Sequence, residues 1–192
     1  MTRKEQKEMR RQQIIKTALH LFVHQGYHGT KTCQISKEAG ISEGLLFHYF
    51  PTKENLLEEI VKIGVSGMAY PLHMSVEEPM DFFITFTQEL FRELKEKPFY
   101  AEIFVFMAQV LRTEGIPPKV KMLAASIDTI SATVPIIQAG QKNGTIKEGD
   151  PLTLANLYWC SIQGIAEQYS ANKEIPLPEA SLITDMLKAQ IR

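Results

Sequence analysis

The sequence predicts an all-α fold of about nine helices. Apolar residues recur at helical spacing between the proline and glycine clusters, and runs that alternate apolar and polar residues are absent. Pro98, Pro118, Pro151 and Pro178 each stand where a helix can begin, because the first turn needs no N–H donor. We expect a small N-terminal domain of three helices at residues 1–50 and a larger helical bundle at residues 51–192.

Charge is distributed unevenly along the 192 residues. Residues 1–53 hold nine Lys or Arg and four Glu, a net charge of +5, whereas residues 54–192 hold twelve bases and eighteen acids, a net charge of −6. The overall charge of −1 hides this asymmetry. A basic N-terminal part suits a polyanionic partner.

Cysteine content and hydropathy predict a cytoplasmic protein. Cys33 and Cys160 are the only cysteines, which are too few for a disulfide framework and lack a metal-binding spacing. The N-terminus is charged and has no apolar signal region. No run reaches the roughly 18 apolar residues that a membrane span needs, so we expect no membrane partner.

Four helices are predicted in the N-terminal third. The first covers residues 4–25, with one apolar face, and ends at Gly26. The second begins near Thr30, a good N-cap residue, and ends at Gly40. Ser42 can cap a third helix that runs to about residue 50, and Thr52 can cap a fourth.

Five further helices are predicted after a linker at residues 71–79. They cover residues 80–95, 98–112, 118–141, 151–171 and 178–190. Pro135 should kink or interrupt the long helix in which it lies. The segments 98–112 and 152–166 are apolar on nearly every face, so they must be enclosed by the bundle or by a second subunit.

The segment around Gly40 has the features of a helix–turn–helix. Gly40 supplies the turn, Ser42 caps the following helix, and Ala39, Ile41 and Leu46 can fill the space between the helices. The stretch GYHGTKTCQISKEAGISEGLLFHYFPTKENLL resembles the N-terminal part of the tetracycline-repressor (TetR) family of bacterial transcriptional regulators. The matching pattern covers about residues 11–57, a little under a third of the chain.

This resemblance implies a DNA-binding face. Phosphate contacts are implied from helix starts, base contacts from the front of the third helix, and mixed contact and core roles from its aromatic residues. The implied DNA-binding residues are Thr32, Ser42, Glu43, Gly44, Leu45, Phe47, His48, Tyr49 and Lys53. Glu43 departs from the Lys or Arg usual in the family; it either accepts from a cytosine amino group or only favours the helix N-terminus.

The resemblance also implies a dimer, since the two half-sites of a DNA site are read by the paired N-terminal domains, here called heads. The last two helices would pack against their symmetry mates, or else their apolar faces pack on their own bundle. The candidate interface residues are Leu154, Leu157, Ser161, Ile165, Leu182, Ile183 and Met186.

A pocket for a small lipophilic effector is implied in the larger domain. Such pockets are mostly apolar with a few convergent polar groups, although Phe and Met at helical spacing more often belong to a core. The candidates are Met68, Phe86, Glu102, Phe104, Met107, Asp128, Tyr158, Trp159 and Gln163, with His73 as a further polar group. A lipophilic cation and an acyl chain both remain open as effectors.

The sequence indicates neither an enzyme nor a metal protein. His20, His24 and His28 are spaced by four, but no neighbouring Cys or acid completes a metal site, so we expect no metal and no cofactor. No recognised catalytic motif is present. The expected function is that of a ligand-relieved repressor that binds a palindromic operator as a dimer. The alternative is a constitutive or architectural DNA-binding protein without an effector.

Overall fold

The all-α fold is confirmed by the computed structural model, which describes residues 1–69 and 77–189. Those residues form ten helices, and their only β-type pairing is one isolated bridge between Ile146 and Lys188. The helices are α1 (Arg3–Gln25), α2 (Thr32–Glu38), α3 (Glu43–Tyr49), α4 (Lys53–Ala69), α5 (Pro79–Glu96), α6 (Pro98–Arg112), α7 (Pro118–Ala124), α8 (Thr129–Lys142), α9 (Pro151–Ala171) and α10 (Ala180–Thr184).

The chain divides into two compact units. The first comprises Met1–Val65 and Glu102–Ala125, and the second comprises Ser66–Ala101 and Ser126–Arg192. This division does not coincide with the boundary expected near residue 50. The reason is that α6 packs on the N-terminal helices: Phe106 stacks on Phe22 with ring centroids 6.0 Å apart. The assignment of ligand binding and dimerisation to residues 51–192 remains a prediction.

The first unit has a core along the predicted apolar faces. α1 buries Ile14, Ile15, Ala18, Leu19 and Phe22, all at most 1% exposed. α4 buries Leu56, Leu57, Ile60 and Val61 to the same degree. Each fully buried large aliphatic side chain stabilises the fold by about 1.5–3 kcal/mol relative to an exposed one, so these two stripes stabilise the first unit.

The start of α2 differs from the expectation. Thr30 does not cap this helix, since the N-cap residue is Lys31. Thr30 is fully buried instead, and its hydroxyl donates to the carbonyl oxygens of Leu21 (3.2 Å) and Gly26 (2.9 Å). A buried hydroxyl needs such partners, and here they fasten the turn between α1 and α2.

The helix expected at residues 118–141 is interrupted at residues 125–128, not at Pro135. Asp128 caps α8, because its Oδ1 accepts from the N–H of Ser131 at 3.0 Å. The Ser131 hydroxyl and N–H also hold the pKa of Asp128 below its usual value. Pro135 is exposed and lies inside α8 without ending it.

The interrupted segment also corrects the hydropathy expectation. Among the described residues, Pro118–Lys142 is long and apolar enough to cross a membrane by length and composition alone. The structure divides this stretch into α7 and α8, and the 14 residues of α8 extend only about 21 Å. The hydrocarbon layer of a bilayer is about 30 Å thick.

The last predicted helix is shorter than expected. It ends at Thr184, and the chain then turns so that Leu187 accepts from the N–H of Lys147 at 2.9 Å. This pairing satisfies backbone groups outside a helix. The predicted end at Gln190 lies outside the described residues, as do His73 and most of the predicted linker.

Candidate nucleic-acid interface

The helix α3 is anchored at both ends and through one buried side chain. The Ser42 hydroxyl oxygen accepts from the N–H of Leu45 at 3.2 Å. The N–H of Phe50 donates to the carbonyl oxygen of Leu46 at 2.9 Å. Leu46 is 2% exposed. A helix of seven residues is unstable in isolation, so this anchoring keeps α3 folded.

The opposite face of α3 is open to solvent. Glu43, Gly44 and His48 are exposed, and the apolar side chains of Leu45 and Phe47 are 36% and 43% exposed. Apolar side chains can contact thymine methyl groups in the major groove. Five of the predicted DNA-binding residues therefore lie together on one accessible surface.

The turn before α3 has the predicted glycine geometry. Gly40 has φ = 64°, in the left-handed region that side chains with a Cβ rarely adopt. The N–H of Ile41 donates to the carbonyl oxygen of Ser36 at 2.9 Å, and the side-chain amide of Gln13 donates to that of Ala39 at 3.0 Å. The turn is thus held by α2 and by α1.

Two predicted DNA-binding residues are paired with each other. The Thr32 hydroxyl donates to the Glu43 carboxylate at 2.9 Å and so connects the start of α2 with the start of α3. Residue spacing alone could not predict this contact across eleven positions. Glu43 therefore has a third role beyond the two open ones, as an acceptor that orients Thr32.

Lys53 is placed differently from the phosphate contact implied by the resemblance. Its ammonium donates to the carbonyl oxygens of Tyr27 (2.8 Å) and Thr30 (2.9 Å) and lies 4.2 Å from the centroid of the Tyr27 ring. Burial lowers the pKa of Lys53. In this structure the side chain closes the turn between α1 and α2.

We therefore expect Lys53→Met to destabilise the first unit. The variant leaves two carbonyl oxygens without their charged donor, and hydrogen bonds to charged groups contribute about 1.5–3 kcal/mol each before relaxation. A loss of about 1–3 kcal/mol in the free energy of unfolding should appear in urea denaturation. Lys53→Arg is the matched control that keeps the charge.

The same variants separate the two roles of Lys53. If Lys53 contacts a phosphate, Lys53→Met should make the salt dependence of DNA binding shallower by about one released ion. A purely structural role would lower stability and leave that slope unchanged. An unchanged unfolding free energy would contradict the structural role.

Tyr49, the last of the predicted residues on α3, and its neighbour Phe50 are partly enclosed. Tyr49 is half-buried, with its ring 5.7 Å from the His48 ring in an edge arrangement. Phe50 is 5% exposed and carries the Arg11 guanidinium 5.6 Å from its ring centroid. Arg11 also pairs with Glu59 of α4. These contacts join α1, α3 and α4 behind the exposed face.

The predicted dimer face is only partly exposed in a single chain. In the second unit, Leu157 of α9 is 50% exposed and Leu182 of α10 is 69% exposed. Ser161, Ile165 and Met186 are half-buried. Leu154 and Ile183 are 5% and 9% exposed and lie in the core of their own chain. Their assignment to the interface stays a prediction.

The pocket candidates of the second unit form a packed aromatic cluster. The Tyr158 hydroxyl pairs with the Thr87 hydroxyl at 2.8 Å, and burial raises the pKa of Tyr158. The indole N–H of Trp159 donates to Thr133 at 3.1 Å, and its ring centroid lies 5.1 Å from that of Phe86. The buried polar atoms of Tyr158 and Trp159 therefore bond within the chain.

The other candidates of this unit have local roles. The side-chain amide of Gln163 donates to Glu167 at 2.8 Å, one helical turn away. Asp128 caps α8, as described above, and is exposed. Met68 is half-buried at the end of α4. These positions are compatible with a core, which the sequence left open beside a pocket.

The pocket candidates of the first unit are also engaged. Glu102 lies within hydrogen-bond distance of His20, with its carboxylate oxygen 2.7 Å from Nδ1. Met107 is 2% exposed and packs so closely against Gly64 that a Cβ at Gly64 would overlap it. Phe104 is half-buried. Sequence spacing could not reveal the pairing of Glu102, because its partner lies 82 positions away.

Comparison with known proteins agrees with this geometry. The model of the tetR family of bacterial regulatory proteins matches residues 14–60. HbdR, an HTH-type transcriptional regulator of Aromatoleum sp. (strain CIB), is 48% identical over 76 residues, which cover 34% of this chain and 33% of HbdR. The chain thus matches about a third of the length of this relative.

Solved structures extend the likeness to the whole chain at the level of fold. The MbdR regulator from Azoarcus sp. CIB has a TM-score of 0.75 and 17% identity over 94% of this chain and 98% of MbdR. AibR, crystallised in complex with isovaleryl coenzyme A and operator DNA, has a TM-score of 0.70 and 17% identity over 95% and 100% of the two chains. Residues 14–60 thus match the tetR family of bacterial regulatory proteins, and the chain as a whole shares the fold of these solved regulators.

Proposed function

We propose that this protein is a DNA-binding transcriptional regulator that inserts α3 into the major groove. The observation that carries this proposal is the exposed face of α3, where Leu45, Phe47 and His48 project from a helix anchored by buried Leu46. A recognition helix needs this combination of a fixed backbone and free side chains. Ser42 and Thr32, at the starts of α3 and α2, can approach backbone phosphates.

The charge distribution supports a polyanionic partner for the first unit. The net charge of +5 over residues 1–53 arises largely from α1, whose first turns expose Arg3, Lys4, Lys7 and Arg10. Cationic side chains near the duplex release counterions and strengthen binding at low salt. Operator affinity should therefore fall steeply as salt increases.

A homodimer through α9 and α10 is the second part of the proposal. Leu157 and Leu182 are large apolar side chains that a single chain leaves half or more exposed. A second copy would cover them through the same surface, because a two-fold interface is self-complementary. Two heads would then read two half-sites of a palindromic operator.

Relief of repression by a small lipophilic effector is the third part. AibR, which shares the fold, was crystallised with both an acyl coenzyme A and operator DNA. For this chain we propose that an effector displaces the C-terminal end of α4, near Val65 and Met68, and changes the spacing of the two heads. A coupling free energy of about 1–3 kcal/mol, or roughly 5–150-fold in operator affinity, is typical of such linkage.

The test of DNA binding is a selection from a random-sequence duplex library with the full chain. We expect enrichment of a two-fold symmetric site whose half-sites are one helical turn, about 10–10.5 base pairs, or a multiple of it apart. Duplex binding without sequence preference would support the constitutive or architectural alternative. The absence of any duplex binding at low salt would refute the proposal.

The test of effector response uses Trp159 and the selected site. This residue is the only tryptophan and is packed against Phe86 and Tyr158. Lipophilic cations, acyl chains and aromatic acids would be titrated while tryptophan emission and operator binding are recorded. A compound that shifts the emission and weakens operator binding supports the proposal, whereas unchanged operator affinity across the panel favours a constitutive binder.

Cytoplasmic localisation and the absence of catalytic activity complete the proposed function. Both follow from the proposed role, since a regulator acts where the DNA lies and through binding alone. Glu102 is the acid in an apolar helix that could suggest catalysis. Its carboxylate contacts Nδ1 of His20. Retention of operator binding by Glu102→Gln would agree with a role outside the DNA interface.

A further inference from the structure

His20, His24 and Glu102 converge on one point of the first unit. His20 and His24 lie one turn apart on α1, with ring centroids 4.4 Å apart. One carboxylate oxygen of Glu102, on α6, lies 2.7 Å from Nδ1 of His20 and 3.7 Å from Nε2 of His24. The three donor atoms all lie within 4.8 Å of one another.

This arrangement overturns the reason for expecting no metal. The sequence shows two histidines at helical spacing without a third ligand, and α6 supplies that ligand from 78 positions beyond His24. Two imidazoles and one carboxylate form a ligand set that Zn²⁺ binds in proteins, with the fourth position open to water. We propose that His20, His24 and Glu102 form a binding site for Zn²⁺ or a similar divalent transition-metal ion.

The Glu102 carboxylate requires little rearrangement. Ligand bonds of about 2.0–2.2 Å in a tetrahedral site separate ligand atoms by about 3.3–3.5 Å. The Glu102 oxygen would therefore move away from His20 by less than about 1 Å and keep its distance from His24. The side chains of His20 and His24 are 51% and 42% exposed, so an ion and a bound water can reach the site.

The surroundings of Glu102 favour a cation. Its side chain is 17% exposed and belongs to a helix that is otherwise apolar around it, between Ala101 and Ile103. A carboxylate removed from water is costly unless it is paired. A divalent ion would supply that positive charge and hold α1 against α6.

The site is tested by adding ZnCl₂ to the metal-free full chain. Isothermal titration should give one Zn²⁺ per chain, and His24→Gln or Glu102→Gln should each weaken binding at least tenfold. At a free concentration about 100 times the Kd, Zn²⁺ should raise the Tm by about 5–10 °C. His48→Gln, an exposed histidine on α3, and Cys33→Ser with Cys160→Ser are controls that should retain binding.

His24→Gln is the decisive variant. Its ring lies 3.7 Å from the carboxylate and leaves the shorter contact between Glu102 and His20 intact, so the metal-free fold should survive, as circular dichroism would verify. Unchanged affinity and an unchanged Tm rise in this variant would refute the site. No uptake of Zn²⁺ by the native chain would also refute it and leave an ion pair alone.

Discussion

Leu157→Glu combined with Leu182→Glu should convert the protein to a monomer and lower its operator affinity at least 100-fold. Both side chains are largely exposed in one chain, at 50% and 69%, so charging them leaves the core intact. In the proposed dimer the same positions meet their symmetry mates, and four buried carboxylates would be desolvated and would repel one another. Sedimentation equilibrium and fluorescence anisotropy with a labelled operator measure the two effects.

The size of this effect follows from the loss of a second tethered head. A dimer binds its second half-site as an intramolecular event, which contributes about 10²–10⁴ in affinity. Leu111→Glu is the matched control, because Leu111 is 47% exposed on α6, outside α9 and α10. A doubly charged variant that remains dimeric would show that this chain pairs through a different surface.

Gly44→Glu should abolish specific DNA binding without unfolding the protein. A Cβ at Gly44 would meet no atom within 4 Å, so the free chain accommodates a side chain there. In the proposed complex that side chain would stand between α3 and the duplex and carry a negative charge towards the phosphates. We expect a loss of at least 100-fold in operator affinity, measured by anisotropy at fixed salt.

Two matched variants make this result specific to the interface. Leu111→Glu introduces the same charge at an exposed position of another helix, α6, and should leave operator affinity nearly unchanged. Gly44→Ala should raise the free energy of unfolding by about 0.5–1 kcal/mol, since alanine is the better helix former, while weakening operator binding. Full operator affinity in Gly44→Glu would remove α3 from the proposed DNA contact.

The residue order predicted most helices because their ends are local features. α6 and α9 have the bounds that Pro98 and Pro151 indicate, and Ser42 caps α3 as expected. The interruption before α8 was not predicted. α7 ends at Ala124, and Asp128 caps a new helix that continues through Pro135. The short α10 was missed because its chain continues into pairing with residues 145–147.

The candidate site was predicted less completely than the fold. The exposed positions of α3 follow from the resemblance and from helical spacing around Leu46, whose burial is confirmed. The placement of Lys53 on the carbonyl oxygens of Tyr27 and Thr30 could not be predicted. A lysine at a helix start looks the same in sequence whether its ammonium meets a phosphate or a turn 23–26 positions earlier.

The sequence by itself determined the helical class, the helix–turn–helix and the solvent-facing residues of α3, because caps, glycine turns and apolar spacing act over one or two turns of chain. Only the tertiary structure decided which charged and polar groups meet, as in Thr32 with Glu43, Lys53 with the turn before α2, and Glu102 with His20. The physical reason is that burial forces each such group to find a partner wherever packing brings one within reach.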